Sequence, residues 1–160
     1  MGKGRKVRSD KKVDVKPTLP SQMKRYLYDI CFLSEEHVKD VAEKLCLVAI
    51  QYRPIIDVLR PNFRRNYIFE NTVMMGNADL ERMDTSIKGS TGKVTIKFKK
   101  ADFDRIADLA YALDVTPTTA AGLLIRNALS NKEFLGLYTT HHVPHLETVK
   151  VLSLRRYLSL

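Results

Sequence analysis

The chain has 160 residues, a formal charge of +9 and 44% apolar residues, enough for one ordinary domain or for two very small ones that share or split a core. No apolar run approaches the roughly 18 residues that cross a bilayer, and the basic first sixteen residues lack the apolar segment and cleavage site of a secretory signal. Composition therefore argues against a membrane partner and for a cytoplasmic protein, in which Cys31 and Cys46, without Cys-x-x-Cys or Cys/His spacing, read as reduced core thiols.

Residues 1–16 carry seven Lys/Arg against Asp10 and Asp14. With Pro17 and Pro20 closing the segment and no helical or strand period, residues 1–20 read as a disordered basic arm. From Arg25 to Phe32 the aromatic and branched residues predict a strand. Ser34 then offers an N-cap with Glu35 and Glu36 in the first turn, and Val38, Val41, Ala42, Leu45 and Val48 predict a helix from about Ser34 to Ile50. A shorter helix begins near Pro54 and stops before Pro61. Tyr67-Ile68-Phe69 reads as a short strand or a buried loop. The stretch 76–92, rich in Gly, Asn, Asp, Ser and Thr, reads as a linker between an α-rich N-terminal domain (21–75) and a second unit (93–130).

That second unit is the most legible. Lys93 to Phe98 alternates with period two, so Val94, Ile96 and Phe98 share one face and Lys93, Thr95 and Lys97 the other. A helix follows with Phe103, Ile106, Leu109, Ala110 and Leu113 as its apolar stripe, ending near Asp114. Thr116 then caps a second helix whose first position is Pro117 and whose buried side is Ala121, Leu124, Ile125, Ala128 and Leu129. In the extension 131–160, Phe134 to Tyr138 is apolar enough to pack back, and the tail from His141 to Leu160 reads as a last helix covering the core or a partner.

One short strand and two helices cannot satisfy their own backbone or bury both stripes within forty residues, so the unit needs a second copy. Two such strands paired antiparallel would merge their polar faces into a ribbon that suits the major groove of B-DNA. With Lys93-Val94-Thr95-Ile96-Lys97-Phe98, then Phe103-x-x-Ile106-x-x-Leu109-Ala110, then Leu113-Asp114-Val115-Thr116-Pro117-Thr118, residues 92–130 resemble the ribbon-helix-helix family, the Arc/MetJ type of repressor. Asp114 stands where that family usually has Gly, and Asp tolerates the left-handed conformation better than most residues. The resemblance implies a mainly α fold with a short antiparallel β-ribbon, double-stranded DNA as partner, and base contacts from Lys93, Thr95 and Lys97. It also implies phosphate contacts from Lys99, Lys100 and the helix N-terminus at Thr116, Thr118 and Thr119.

The source of the second strand has two readings. In one, the chain forms a homodimer through the ribbon, leaving the N-terminal half to bind a protein partner. In the other, the first half is a divergent copy, with Ile30-x-Phe32 before Val38-x-x-Val41 echoing Ile96-x-Phe98 before Phe103-x-x-Ile106, and one chain is a pseudo-dimer. Against the copy stand its outward residues Leu27, Asp29 and Cys31, a poor DNA reader, and Pro61, which cuts the second helix short. Alternating Lys and Thr can also guard a sheet edge against aggregation, but the two helices that follow favour a reading face.

The expected role is a sequence-specific regulator, chiefly a transcriptional repressor. Alternatives are a relaxosome or partition accessory protein of a mobile element, and an antitoxin-like protein whose tail wraps a toxin, because fold alone does not fix the role. No Ser/His/Asp constellation, paired carboxylates, Gly-rich phosphate loop or His-Glu-x-x-His is visible, so neither enzyme activity nor a cofactor is expected. His141, His142 and His145 lack Cys or acidic co-ligands at helical spacing, which argues against a metal.

Overall fold

A computed structural model describes residues 11–142. The first ten residues of the basic segment and the tail from 143 onward, with Pro144 and His145, lie outside the described residues, as does the expectation that the tail covers the core or a partner.

Among the described residues the fold is mixed α/β: six helices and three short antiparallel strand pairs. The chain opens with strands β1 (Lys12–Val15) and β2 (Thr18–Pro20) and helices α1 (Ser21–Ser34), α2 (Val38–Ala49) and α3 (Arg53–Leu59). A 3-10 turn at Arg60–Asn62 leads to the hairpin β3 (Tyr67–Phe69) and β4 (Thr72–Met74). After an irregular crossing come β5 (Thr91–Lys93), β6 (Ile96–Lys99), α4 (Lys100–Leu113), α5 (Pro117–Ser130) and α6 (Lys132–His142).

The N-terminal third differs from its sequence-based expectation in three places. Residues 12–20, assigned by composition to a disordered arm, are strands. β1 pairs antiparallel with β6, Lys12 opposite Lys99 and Val15 opposite Ile96, and β2 pairs with β5, Thr18 opposite Lys93 and Pro20 opposite Thr91. The segment 25–32, expected as a strand, lies inside α1. Its apolar residues follow the helical period, so Leu27, Ile30 and Cys31 are buried while Tyr28 and Phe32 face outward. The helix expected from Ser34 starts later. Glu35 takes a left-handed conformation (φ 58°) that ends α1, and His37 becomes the residue preceding α2. The short helix between Pro54 and Pro61 is present as α3, with Pro54 in its first turn.

The second half follows its expected pattern closely. Ile106, Leu109, Ala110 and Leu113 of α4 and Ala121, Leu124, Ile125, Ala128 and Leu129 of α5 are buried, while Phe103 is half-buried. Asp114 holds the left-handed turn (φ 57°) that the sequence requires there, and the Thr116 hydroxyl accepts from the Thr119 N–H. Phe134, Leu135 and Tyr138 of α6 pack back onto the core.

These corrections expose a repeat. α1 and α4 both have 14 residues, both end in a left-handed acidic residue (Glu35, Asp114), and both are followed by a second helix after a three-residue turn. Leu27, Ile30 and Cys31 stand where Ile106, Leu109 and Ala110 do, and Leu45, Cys46 and Ala49 stand where Leu124, Ile125 and Ala128 do. The halves interlock, because α2 packs on β6 and α5 packs on β1 and β2. One continuous core runs from Val15 to Tyr138. The segment 76–92 therefore connects two halves of one core instead of separating two domains.

Cys31 and Cys46 are free and buried. Burial, followed by the nearby Glu36 charge, pushes the Cys31 thiol up to about 12. Desolvation raises Cys46 further, and its Sγ–H donates to the Ala121 carbonyl 3.6 Å away. Neither thiol is an accessible nucleophile.

Candidate nucleic-acid interface

The two outer strand pairs form one ribbon. Their registers are continuous, and Val94 N–H donates to Pro17 O (3.1 Å) in the gap between them. Pro17 has no N–H to return that bond, so the ribbon divides there into two short ladders. Beyond β2 the same register continues as Ser21 N–H donates to Ser90 O (3.0 Å).

Strand alternation sorts the ribbon into two faces. Val15, Pro17 and Leu19 from one strand and Val94, Ile96 and Phe98 from the other are buried over the helices. Gly122 lies where α5 meets this layer; a Cβ there would make ordinary van der Waals contact with the Pro17 side chain (3.4 Å) and the Thr18 carbonyl (3.5 Å). Outward stand Lys93, Thr95, Lys97 and Lys99, all exposed, and beside them Lys12, Asp14, Lys16 and the half-buried Thr18. Asp14 lies opposite Lys97, and Thr18 opposite Lys93. Five lysines against one carboxylate make the face strongly basic.

The structure thus brings Lys93, Thr95, Lys97 and Lys99 onto one face. Lys100 departs from it. It is the first residue of α4 and its ammonium lies 3.5 Å from Asp104 one turn on. At the start of α5, Thr118 is exposed, but Pro117 has no N–H and the Thr119 N–H is already capped by Thr116 (3.2 Å). Thr116 also donates to the Thr119 hydroxyl (3.0 Å). Fewer amides are free at this helix end than its three threonines suggest.

The row Lys12, Asp14, Lys16, Thr18 was legible as a period-two pattern, with Val13, Val15, Pro17 and Leu19 between the polar positions. Two prolines and the surrounding basic residues obscure it.

The turn before α5 is held by a knot of charge. Asp114 Oδ2 accepts from Arg64 Nη1 and, at 2.9 Å, from Arg82 Nε, while Arg65 Nη1 lies 3.5 Å from Oδ1. Arg65 also donates to the Tyr111 carbonyl (3.0 Å) and its guanidinium covers the Tyr111 ring at 4.2 Å. These contacts tie residues 64, 65 and 82 to the α4–α5 turn. The Arg82 hydrogen bond, helped by Arg64 and Arg65 against the cost of desolvation, holds the Asp114 carboxyl below the usual carboxylate range.

A depressed carboxyl adds stability that is complete above its unfolded-state pKa, about 3.9, and is lost as the pH falls through the folded-state value. Asp114→Asn keeps a residue that tolerates the left-handed turn but removes the charge. It is expected to melt below the wild type at pH 7, with the difference shrinking as the pH drops below about 4. Thermal melts followed by circular dichroism check this. A gap between the two proteins that stays constant down to pH 2 would show that the ion pairs are not its source.

Among the described residues no helix is long and apolar enough to cross a membrane, and no group of three or more His, Cys, Asp or Glu could hold a metal ion. Comparison of the chain with protein-family models, with curated proteins and with solved structures finds no match.

Proposed function

We propose that the protein is a sequence-specific double-stranded DNA-binding protein, a tandem ribbon-helix-helix pseudo-dimer that lays the ribbon 12–20/91–99 in the major groove to repress transcription by occupying its site. The observation that carries this reading is the ribbon itself: two antiparallel strands of one chain, apolar on the helix side and lined outward by Lys12, Lys16, Lys93, Lys97 and Lys99 with Thr18 and Thr95. Lysine donates to guanine O6 and N7, and threonine can hydrogen-bond a base or touch a thymine methyl. The ribbon supplies binding and discrimination, with no catalytic step. Because the N-terminal half is consumed in building the ribbon and its core, it offers less surface for a separate protein partner than an independent domain would. This favours a repressor over a relaxosome accessory.

The test is selection of bound duplexes from a random pool, followed by binding measurements on the enriched sequence and on scrambled DNA. Thr95→Ala and Lys97→Ala should leave the circular dichroism spectrum unchanged and each lose about 1–3 kcal/mol of discrimination. Full discrimination in both variants would exclude the ribbon as the reader.

A further inference from the structure

The backbone repeats from one half to the other, but its outward side chains do not. Superposing the repeat places Asp14 on Lys93, Lys16 on Thr95, and Thr18 on Lys97. None of the three positions carries the same residue twice. A symmetric dimer presents one triad to both halves of its site, whereas this chain presents two different ones. The ends that flank the ribbon differ as well. α5 is capped by Thr116 and starts with Pro117, Thr118 and Thr119, while the matching start of α2 gathers Glu35, Glu36, Asp40 and Glu43 against Lys39 and a Lys44 that is paired to Glu36 at 2.9 Å. The acidic excess makes phosphate less favourable at the second end than at the first.

Asp14 is the one acid on the reading face and is exposed, with no ion pair holding it among the described residues. A carboxylate only accepts hydrogen bonds. In the major groove cytosine offers an N4 donor, whereas adenine sets its N6 donor beside the N7 acceptor, and guanine and thymine present acceptors. Lys97, directly opposite Asp14, donates to guanine O6 and N7. The acceptor of Asp14 and the donor of Lys97 are complementary to the two edges of a single C·G pair in one orientation. The matching pair on the other half, Lys93 opposite Thr18, has no carboxylate: the Thr18 hydroxyl both donates and accepts and so discriminates less.

Resting on the reading of the ribbon as the DNA reader, we infer that the protein recognises a non-palindromic duplex site as a single chain, with Asp14 and Lys97 fixing the orientation by reading one C·G pair. One chain then occupies one site with a defined direction.

The experiment is selection from a random duplex pool with the full chain and with Asp14→Asn, plus native mass spectrometry of the complex. The wild type should enrich one motif without two-fold symmetry, at one chain per duplex. Inverting one C·G pair in that motif should weaken binding roughly 5- to 150-fold, the range of a good base contact. Because Asn pairs with adenine N6 and N7, Asp14→Asn should move the preference at that position from cytosine toward adenine, with an unchanged melting temperature showing that the fold is intact. A palindromic motif, two chains per site, or an Asp14→Asn motif identical to the wild type would overturn the inference while leaving DNA recognition by the ribbon standing. No enriched motif at all would remove both.

Discussion

Phe98→Ala is expected to destabilise the whole chain by about 3–5 kcal/mol, the cost of emptying a fully buried aromatic site, and to lower the melting temperature by on the order of 10 °C for a protein of this size. Phe98 is fully buried and lies opposite Val13 in the ribbon. Its effect does not stop at the second half. The core is continuous and the strands of each half pack against the second helix of the other, so the loss is shared by both. Leu19, the matching residue of the first half, is equally buried, and Leu19→Ala should cost about 2–5 kcal/mol. Single-transition melts with coincident far-ultraviolet and tyrosine signals in both variants are the expected result. Two transitions, with Leu19→Ala lowering only one of them, would mean that residues 93–130 fold without the first strand, and the interlocked core would be wrong.

The second large effect is electrostatic. A protein that neutralises phosphates releases the counterions condensed on DNA, so its affinity falls with salt at a slope of about −0.9 per contact. Replacing Lys93, Lys97 and Lys99 by Gln should make that slope shallower by roughly 2–3 and weaken non-specific duplex binding several hundredfold at about 0.1 M salt. These side chains are exposed and anchor no part of the core, so the melting temperature should stay near that of the wild type. The control is Lys100→Gln, which removes a lysine engaged with Asp104 and off the ribbon; it should change the slope by clearly less than one. Titrations by fluorescence anisotropy from about 50 to 200 mM salt separate the two outcomes. Equal slopes for the triple variant and the wild type would place the phosphate contacts elsewhere on the protein.

Asp14 sharpens what a charge count alone implies. On a face carrying five lysines one acid lowers non-specific attraction, a cost that brings selectivity if the carboxylate meets a donor and repels an acceptor. The same logic separates the two helix starts, where Glu35, Glu36, Asp40 and Glu43 gather at one and threonines at the other. In the proposed complex this would favour phosphate on one side of the ribbon and give the face a direction that its backbone lacks.

How far the sequence could be read depended on where local and long-range forces agreed. From Lys93 to Ser130 the period-two strand, the apolar stripe, the Asp114 turn and the Thr116-Pro117 start all point to one conformation; the two helices formed where their patterns predicted, and the strand formed with its predicted faces but interrupted at Val94 and Thr95. Residues 25–32 were misread because Tyr, Ile, Cys and Phe favour strands by propensity, yet burial of Leu27, Ile30 and Cys31 along one helical stripe outweighs that weak preference. Residues 12–20 were misread for the opposite reason. Alone they are a charged, proline-bearing segment too poor in apolar surface to offset the entropy of ordering. They become strands only because β5 and β6 supply backbone partners and the helices supply a floor for Val15 and Leu19.

The polar face of the ribbon is divided in the same way. Lys93, Thr95 and Lys97 were determined by the sequence alone, since alternation puts them on the polar side of any strand that buries Val94, Ile96 and Phe98. Which strand completes the ribbon was decided only by the tertiary structure. Pairing between residues so far apart in the chain leaves no local periodic trace; it is set by register and by shared burial in a core that neither half can build alone.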